Sequence, residues 1–360
     1  MKKQFMQCLV LILVFHTTAI NQQKKSSNVK PLFKIEKNGK FGYIDRTGKI
    51  IVSPQYDKAY EFSEGLAAVM KGDKSGFIDH TGKVVIEIKF DKYPDSFHEG
   101  LAHVRLNKEP CFIDKSGKII FKHTFEHSYY PFSEGLTPIN QNKKYGFMDK
   151  TGTIVINPTF SNANSFSEGF AAVKVDKKWG YINKEGQIVI KSIFDYCSKF
   201  SEGVALVKIG NRYGYIDSLG NNIIESKFTS AASFTENLAL VSEGPISTYI
   251  NFATNITKLA RRSKGYQLGK LFFINKTGNT VVDLEKLNVN EILLPGFSEG
   301  LVGVRIGGNK WGYMDKAGKL VIEPKFDMVR NFSNGLASVQ KNGIDYYIDK
   351  TGKIIWSSVE

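Results

Sequence analysis

One short string has the residue types and spacing of a zinc-binding protease motif. The string HTFEH, from His123 to His127, matches the pattern H-x-x-E-H. That pattern works only on a helix, which brings both imidazoles to one metal. In the internal repeats described below, His123 aligns with Pro54, Pro158 and Pro324 in an extended segment. We therefore expect no metal, no cofactor and no catalytic residue here, and a hydrolase is the least favoured function.

A second group of residues could bind a ligand without performing chemistry. It pairs an aromatic residue with a preceding cation in several repeats, at Lys144–Tyr145, Lys178–Trp179, Arg212–Tyr213 and Lys310–Trp311. Aligned by the repeats, these residues would form a cationic stripe edged with aromatic rings. Such a stripe suits sugars or anionic polymers, through stacking and charge. The same pattern also describes an ordinary solvated hairpin tip.

A recurring Phe-Ser-Glu-Gly signature supplies a third set of polar residues. It begins, with variants, at Phe62, Phe97, Phe132, Phe166, Phe200, Phe234, Phe297 and Phe332. The glutamates either line a groove of carboxylates, or cap turns and pair with lysines of the next copy. Asn334 is the one exception at the Glu position. Asn237 is the one exception at the Gly position, and it predicts positive φ there, because Asn tolerates that backbone best after Gly.

These residues are positioned by a repeat of 34 or 35 residues. An aromatic residue, an aliphatic residue and Asp or Asn recur nine times, beginning at Tyr43, Phe77, Phe112, Phe147, Tyr181, Tyr215, Phe273, Tyr313 and Tyr347. Each copy parses into three short strands, and the apolar pair predicts a strand buried on both faces. The Asp or Asn, with Gly three residues later, predicts a turn.

A second glycine position precedes the aromatic residue in six copies. It is occupied by Gly42, Gly76, Gly146, Gly180, Gly214 and Gly312. The exceptions, Cys111, Phe272 and Tyr346, disfavour positive φ. This glycine is therefore predicted to make room for a neighbouring side chain within ordinary strand geometry.

The strings KWGYINKEGQIVI and KWGYMDKAGKLVIEPKFD, together with FSEG, resemble the WG (Trp-Gly) β-repeats of bacterial proteins. The resemblance covers about residues 34–356. It implies a β-repeat protein, often secreted or linked to the cell surface, and it supplies no catalytic residues.

The predicted fold is all-β: nine three-stranded antiparallel repeats in tandem. We expect an open, solenoid-like array in preference to a closed propeller. Nine exceeds the four to eight blades typical of propellers. Copy nine also carries the polar Asp345, as a capping repeat would.

The amino-terminal segment predicts that the protein is exported. Lys2, Lys3 and the apolar run from Cys8 to Phe15 resemble a secretory signal, which gives a signal peptide at 1–19, a linker at 20–33, the array at 34–356 and a tail at 357–360. No later apolar run reaches a transmembrane length, so no transmembrane segment is expected after cleavage. Cys111 and Cys197 lie two repeats apart and are expected to be free thiols.

An insertion at about 243–269 interrupts the repeat pattern. Tyr249, Phe252, Ile256 and Leu259 fall at helical spacing and predict a short amphipathic helix. Tyr249, Phe252, Arg261 and Arg262 are candidate contact residues, because insertions in repeat proteins often lie on the binding face. A loop packed on its own repeat is the alternative.

Together these features favour an exported, non-enzymatic protein that binds a protein or cell-envelope partner over an extended surface. A module binding a glycan or anionic polymer through the stripe is the alternative. The formal net charge of +14 is compatible with both. No nucleic-acid partner is expected.

Overall fold

The structure is a computed structural model that describes residues 30–91, 93–124, 130–244, 248–251, 256–259 and 270–359, with backbone alone for 248–251 and 256–259. The predicted signal peptide, residues 20–29 of the predicted linker and Glu360 lie outside these ranges. Across the described ranges, no helix is long and apolar enough to cross a bilayer.

The described strands form nine antiparallel sheets, which we number as blades 1 to 9 in chain order. Three main strands, called b, c and d, follow one another in each blade. In blades 2, 5, 6, 7 and 9 a two-residue strand a pairs with the other side of strand b. In blade 8 strand a is five residues long and is joined by two further strands.

The strand bounds follow the repeat. Blades 1 to 3 comprise Phe33–Lys37, Lys40–Ile44, Ile50–Tyr56; Lys58–Ala59, Ala67–Lys71, Lys74–Ile78, Val84–Asp91; and Leu101–Leu106, Glu109–Asp114, Ile119–Lys122. Blades 4 to 6 comprise Leu136–Gln141, Lys144–Asp149, Ile154–Phe160; Asn162–Ala163, Ala171–Val175, Lys178–Ile182, Ile188–Phe194; and Tyr196–Cys197, Ala205–Ile209, Arg212–Ile216, Asn222–Phe228. Blades 7 to 9 comprise Ser230–Ala231, Ala239–Glu243, Lys270–Ile274, Thr280–Asp283; Thr248–Asn251, Ile256–Leu259, Val289–Leu293, Leu301–Ile306, Trp311–Asp315, Leu320–Phe326; and Met328–Val329, Leu336–Lys341, Ile344–Asp349, Ile354–Ser357.

The core lies between neighbouring blades. The aromatic and aliphatic residues of strand c are fully buried in blades 1 to 8, as with Tyr181 and Ile182, which confirms the two-sided burial predicted from the repeat. Strand d is exposed at alternate positions and forms the outer edge. Cys111 and Cys197 are buried free thiols in different blades, as expected, and burial raises the pKa of Cys197 to about 12.

The blades close into a ring. The glycine of each c–d turn lies against strand d of the preceding blade: Gly82 against Val52, Gly186 against Ile156, and Gly352 against Ile322. The same contact joins the two ends of the array, where Gly48 of blade 1 lies against Ile355 of blade 9. Each blade, including the first and last, therefore has two neighbours, as in a β-propeller.

A tyrosine hydrogen bond repeats the same cyclic order. The hydroxyls of Tyr43, Tyr181 and Tyr313 each donate to a backbone carbonyl seventeen residues later, at 2.6–2.7 Å. The equivalent hydroxyl in blade 9, that of Tyr347, donates to the carbonyl of Lys34 in blade 1, at 2.8 Å. The first strand of blade 1 thus supplies to blade 9 the carbonyl acceptor that the following repeat supplies to Tyr43, Tyr181 and Tyr313.

The expectation of an open, solenoid-like array is therefore wrong; the fold is a closed nine-bladed propeller. The number of blades did not prevent closure. Asp345 is not a capping residue either: it lies exposed at the b–c hairpin of blade 9, where its Oδ1 accepts from Gln340 Nε2 at 3.1 Å. A polar residue at such a hairpin carries no information about the ends of the array.

The glycine before the aromatic residue has a different cause from the predicted one. In blade 5, Trp179 of strand c pairs with Phe194 of strand d, and Tyr181 pairs with Ile190. Strand d therefore has three residues opposite the single residue Gly180, and its two extra residues form a bulge. A Cβ on Gly180 would lie 2.5 Å from the Ile190 carbonyl oxygen and 2.8 Å from both the backbone nitrogen and the Oγ of Ser192, so this glycine makes room chiefly for backbone. In the three blades with Cys111, Phe272 or Tyr346, strand d has only four residues and pairs regularly at this point.

The Phe-Ser-Glu-Gly segments form two-residue hairpin turns directly before strand b of blades 2 to 9. Both central residues have positive φ, for example 52° at Glu64 and 92° at Gly65, which is the type I′ geometry. The positive φ predicted from Asn237 is confirmed, at 69°. The side chain of Glu64 accepts the N–H groups of Glu99 and Gly100 in the next turn, at 2.5 and 2.9 Å.

We call the seven glutamates of these turns the carboxylate ring: Glu64, Glu99, Glu134, Glu168, Glu202, Glu236 and Glu299. Each accepts an N–H group of the following turn. All except Glu168 also pair with a lysine of the next blade, as Glu64 does with Lys115 at 3.0 Å. Glutamates therefore both cap the next turn and pair with the next copy.

The carboxylate ring surrounds the axis on one face of the propeller, which we call the Glu-Gly face. Blades diverge outward from the axis, so equivalent turns can bond directly only close to it. Burial raises the pKa of Glu64, but hydrogen bonds from Lys115 and the Gly100 N–H outweigh that effect, and the pKa is lowered overall. The same balance lowers the pKa of Glu236.

The bulge yields a prediction about glycine. We expect Gly180→Ala to lower the free energy of unfolding by about 1–3 kcal/mol, because the new Cβ collides with the backbone of strand d. Cys111→Ala is the matched control, since blade 3 already accommodates a Cβ at this position, and should cost about 1 kcal/mol or less. Urea titration measures both. A Gly180→Ala protein as stable as the wild type would contradict the steric role.

Ring closure yields a second prediction. Tyr347→Phe should destabilise the protein by about 1 kcal/mol, as Tyr181→Phe should, because each removes one hydrogen bond to a sheltered carbonyl. Thermal and urea unfolding of both variants provide the comparison. In an open array the Tyr347 hydroxyl would have no acceptor, so a Tyr347→Phe protein with unchanged stability, beside a destabilised Tyr181→Phe protein, would contradict closure.

Candidate functional site

The cations of the predicted stripe lie at the b–c hairpins, on the face opposite the carboxylate ring. Lys178 pairs with Asp195 at 2.6 Å, and Lys310 pairs with Asp327. Arg212 donates to the carbonyl of Lys227 at 3.2 Å, whereas Lys144 is exposed and has no ion-pair partner among the described residues. Two of the four stripe cations are thus held by carboxylates of their own repeat.

These aspartates hold neighbouring blades together. Asp195 accepts Lys178 of blade 5 on one oxygen and the N–H of Gly210 in blade 6 on the other, at 2.7 Å. The bond from Lys178 lowers the pKa of the Asp195 carboxyl group. Asp57 and Asp327 make the same pair of contacts at their own junctions.

The aromatic residues of the stripe pack against the blade cores. Trp311 is 2% exposed and packs in a core cluster, with the Arg305 guanidinium 4.8 Å from its ring centroid. Tyr145, Trp179 and Tyr213 are half-buried against the cores of blades 4, 5 and 6. The ring arranges these positions in a circle, so the stripe does not form a continuous straight surface.

The insertion between Glu243 and Lys270 contains strands where a helix was predicted. Tyr249 lies in Thr248–Asn251, which pairs with Ile256–Leu259, and this second strand pairs with Val289–Leu293 of blade 8. The helical prediction is wrong for these residues. Phe252, Arg261 and Arg262 lie outside the described residues.

His123 of the HTFEH string follows strand d of blade 3 and is not on a helix. Its ring is buried, 5.2 Å from the ring of His103 and 5.6 Å from that of Phe112. Burial, with the nearby His103 and Arg105, lowers the pKa of His123 to about 4. Glu126 and His127 lie outside the described residues. His123 therefore belongs to an aromatic cluster of the blade.

The repeat pattern is interrupted where blade 9 meets blade 1, a junction that we call the seam. Blade 1 begins with Pro31, Leu32 and Phe33 in place of a Phe-Ser-Glu-Gly turn, and blade 9 carries Asn334 in place of glutamate. Arg46 stands where other blades have the ring lysine, and it has no ion-pair partner among the described residues. The carboxylate ring is therefore incomplete at the seam.

A cavity of about 810 Å³ lies at the seam. Its walls come from blades 9, 1 and 2 and from Lys115 of blade 3; they include Leu32, Glu64, Gly65, His80, Arg330, Asn331, Ser333, Asn334 and Tyr347. A volume of this size is typical of sites for small ligands or peptide side chains. His80 Nδ1 donates a hydrogen bond to the Gly65 carbonyl oxygen at 3.2 Å, and its ring centroid lies 4.1 Å from that of Phe62.

None of the stripe or insertion residues predicted as ligand contacts lines the cavity, and Glu64 and Asn334 were noted only as members of the recurring turn. Their signal is nevertheless there: Asn334 departs from the Glu of every other turn, and the first copy lacks the turn altogether. To predict the site, one would need to know that Asn334 and the start of the first copy lie side by side in the folded protein. Only ring closure brings them together.

Comparison with solved structures agrees with the ring. A crystal structure of a eukaryotic initiation factor superposes with a TM-score of 0.62 at 11% sequence identity, over 92% of this chain and 96% of that one. A computationally designed protein, Ika8, matches over 90% of this chain and 98% of its own at 13% identity, with a TM-score of 0.46. At such identities the first likeness shows the fold alone. A search of curated proteins finds no match.

A family model for the WG-containing repeat matches the sequence seven times, at residues 41–74, 76–109, 112–145, 145–179, 179–213, 213–244 and 311–343. The matches cover more than half of the chain and follow the blades in order. The protein therefore belongs to the family of proteins built from WG-containing repeats.

Proposed function

We propose that this protein is an exported, non-enzymatic binding scaffold that takes a protein or cell-envelope partner at the seam cavity. The observation that carries the proposal is the contrast between the seam and the rest of the ring. Elsewhere the recurring charged residues of the Glu-Gly face are occupied by contacts between blades. At the seam the pattern stops, and a cavity of about 810 Å³ opens between the two ends of the chain.

The non-enzymatic part of the proposal rests on the state of the carboxylates. General acid–base catalysis requires a pKa near the working pH. The pKa values of Glu64 and Glu236 are lowered overall by lysine and N–H partners, although burial opposes the shift. In the c–d turn of blade 2 the pKa of Asp79 is lowered, because its carboxylate accepts hydrogen bonds from Thr81 and Lys83 of its own turn. Such groups suit structural roles.

Export is supported by the amino-terminal sequence. Lys2 and Lys3 precede an apolar run of eight residues, and Ala19 offers a small residue for cleavage before Ile20. A partner in the envelope or outside the cell follows from that location. The glycan alternative has weaker support, because Trp311 is buried and Lys310 is held by Asp327, which leaves that repeat no open ring face for stacking.

The proposal predicts that a partner can be cross-linked at the seam. A photoreactive amino acid at Asn334 should give a covalent adduct with a specific envelope or extracellular protein, and the exported form should begin near Ile20 by mass spectrometry. The same amino acid at the exposed Lys191, on strand d of blade 5, is the control. Adducts formed equally at both positions, or at Lys191 alone, would contradict a binding site at the seam.

A further inference from the structure

We propose that the seam cavity recognises a peptide turn of the partner protein that carries a glutamate or aspartate side chain. This inference rests on the proposed binding function and names the chemistry of the ligand. Its basis lies within the molecule itself. The same type of binding site is filled by a carboxylate at seven other blade junctions.

The filled sites show what a carboxylate needs at a Glu-Gly turn. Glu64 accepts the successive N–H groups of Glu99 and Gly100 and pairs with Lys115. Two adjacent N–H groups with a cation beside them form a favourable anion site. Glu236 is bound in the same way by Gly300 and Lys316.

The turn of blade 2 presents the same two N–H groups without a carboxylate. By the repeat, the N–H groups of Glu64 and Gly65 correspond to those of Glu99 and Gly100. No acceptor for either N–H lies among the described residues, and residues 1–29 contain no Asp or Glu that could supply a carboxylate. Gly65 borders the cavity, and His80 stands at the position of the ring lysine.

The charges around the cavity favour an anionic ligand. Its two carboxylates are already paired, Glu64 with Lys115 at 3.0 Å and Glu61 with Lys34 at 3.6 Å. Arg330 borders the cavity and has no ion-pair partner within the described ranges. Arg46, which is equally without one, lies next to Gly335 in the adjoining turn. An incoming carboxylate would therefore meet unpaired positive charge.

Two further groups favour a peptide over a free carboxylate. In other blades the serine of the turn donates to the carbonyl of the next turn's phenylalanine, as Ser63 does to Phe97 at 2.6 Å. Ser333 borders the cavity and has no such carbonyl within the described part of the chain. Asn331 also borders the cavity, and its buried Oδ1 accepts no hydrogen bond from any residue that the structure describes. A peptide backbone offers both a carbonyl and an N–H group.

The ligand does not need the aromatic residue of the repeat. In blade 1 the central Tyr43 packs against Phe62 of the following turn, at 4.9 Å between centroids. The equivalent Tyr347 of blade 9 already packs against Phe33, at 5.5 Å. The aromatic position is thus occupied by the chain itself, and a short Ser-Glu-Gly type of turn is sufficient.

The test uses the purified protein and two labelled hexapeptides, ASEGLA and its glutamine counterpart ASQGLA. We expect the glutamate peptide to bind about tenfold more tightly, because charged hydrogen bonds are the stronger ones. Binding should shift the NMR signal of the Gly65 amide, which a Gly65→Asn variant identifies by its loss. Equal affinity of the two peptides, or binding that leaves the Gly65 amide unmoved, would overturn the proposal.

Charge variants and a small ligand complete the test. Arg330→Glu should weaken the glutamate peptide about fivefold at low salt and leave the glutamine peptide unchanged. Lys191→Glu, the same charge change on the outer edge, should affect neither. N-acetylglutamate should bind about tenfold more weakly than the peptide, since it lacks the turn backbone. If N-acetylglutamate binds as tightly as the peptide, the site recognises a small carboxylate and the peptide proposal fails. Cross-linking at Asn334 would still test the proposed binding function separately.

Discussion

The bond from a glutamate side chain to the next Glu-Gly turn is the interaction on which this ring depends. A type I′ turn requires positive φ at both central residues, and glutamate is a poor choice for the first of them. Strain of this kind costs about 1–3 kcal/mol per residue. Seven turns accept that cost because each carboxylate accepts an N–H group of the neighbouring turn, and Glu64 accepts two.

Asn334 is the exception that supports this explanation. It occupies the last turn, and the blade that follows it around the ring has no Glu-Gly turn to receive a carboxylate. Asparagine is the residue best suited to the first position of a type I′ turn. Where the contact between blades is not available, the sequence uses the residue that the backbone prefers, with φ of 53°. Glutamate at the other turns is therefore explained by the neighbour and not by the turn.

Closure places unequal demands on the two ends of the chain. Inside the array each blade takes a turn and a tyrosine acceptor from the next. Blade 9 packs against blade 1, where Phe33 supplies the aromatic contact and the Lys34 carbonyl supplies the acceptor. These substitutions restore the packing and the hydroxyl hydrogen bond. They do not restore the carboxylate, so the junctions of blade 1 with blades 9 and 2 lack the glutamate contact that the other seven junctions have.

Much of the blade could be predicted from the sequence, because copies of one repeat report on one another. Asn237 in place of glycine predicted positive φ, and the apolar pair at Tyr181 and Ile182 predicted burial on both faces. Closure could not be predicted in this way, since curvature depends on small rotations between blades that no single residue determines. The role of Gly180 was also hidden, because its steric partner is the bulged backbone of strand d, and only the short strands beside Cys111, Phe272 and Tyr346 reveal it. The site was missed for a related reason. Comparing the copies identifies residues that recur, whereas the cavity in this ring forms where the repeat pattern is interrupted. Leu32 and Asn334 are far apart in the sequence, and ring closure brings them to the same cavity.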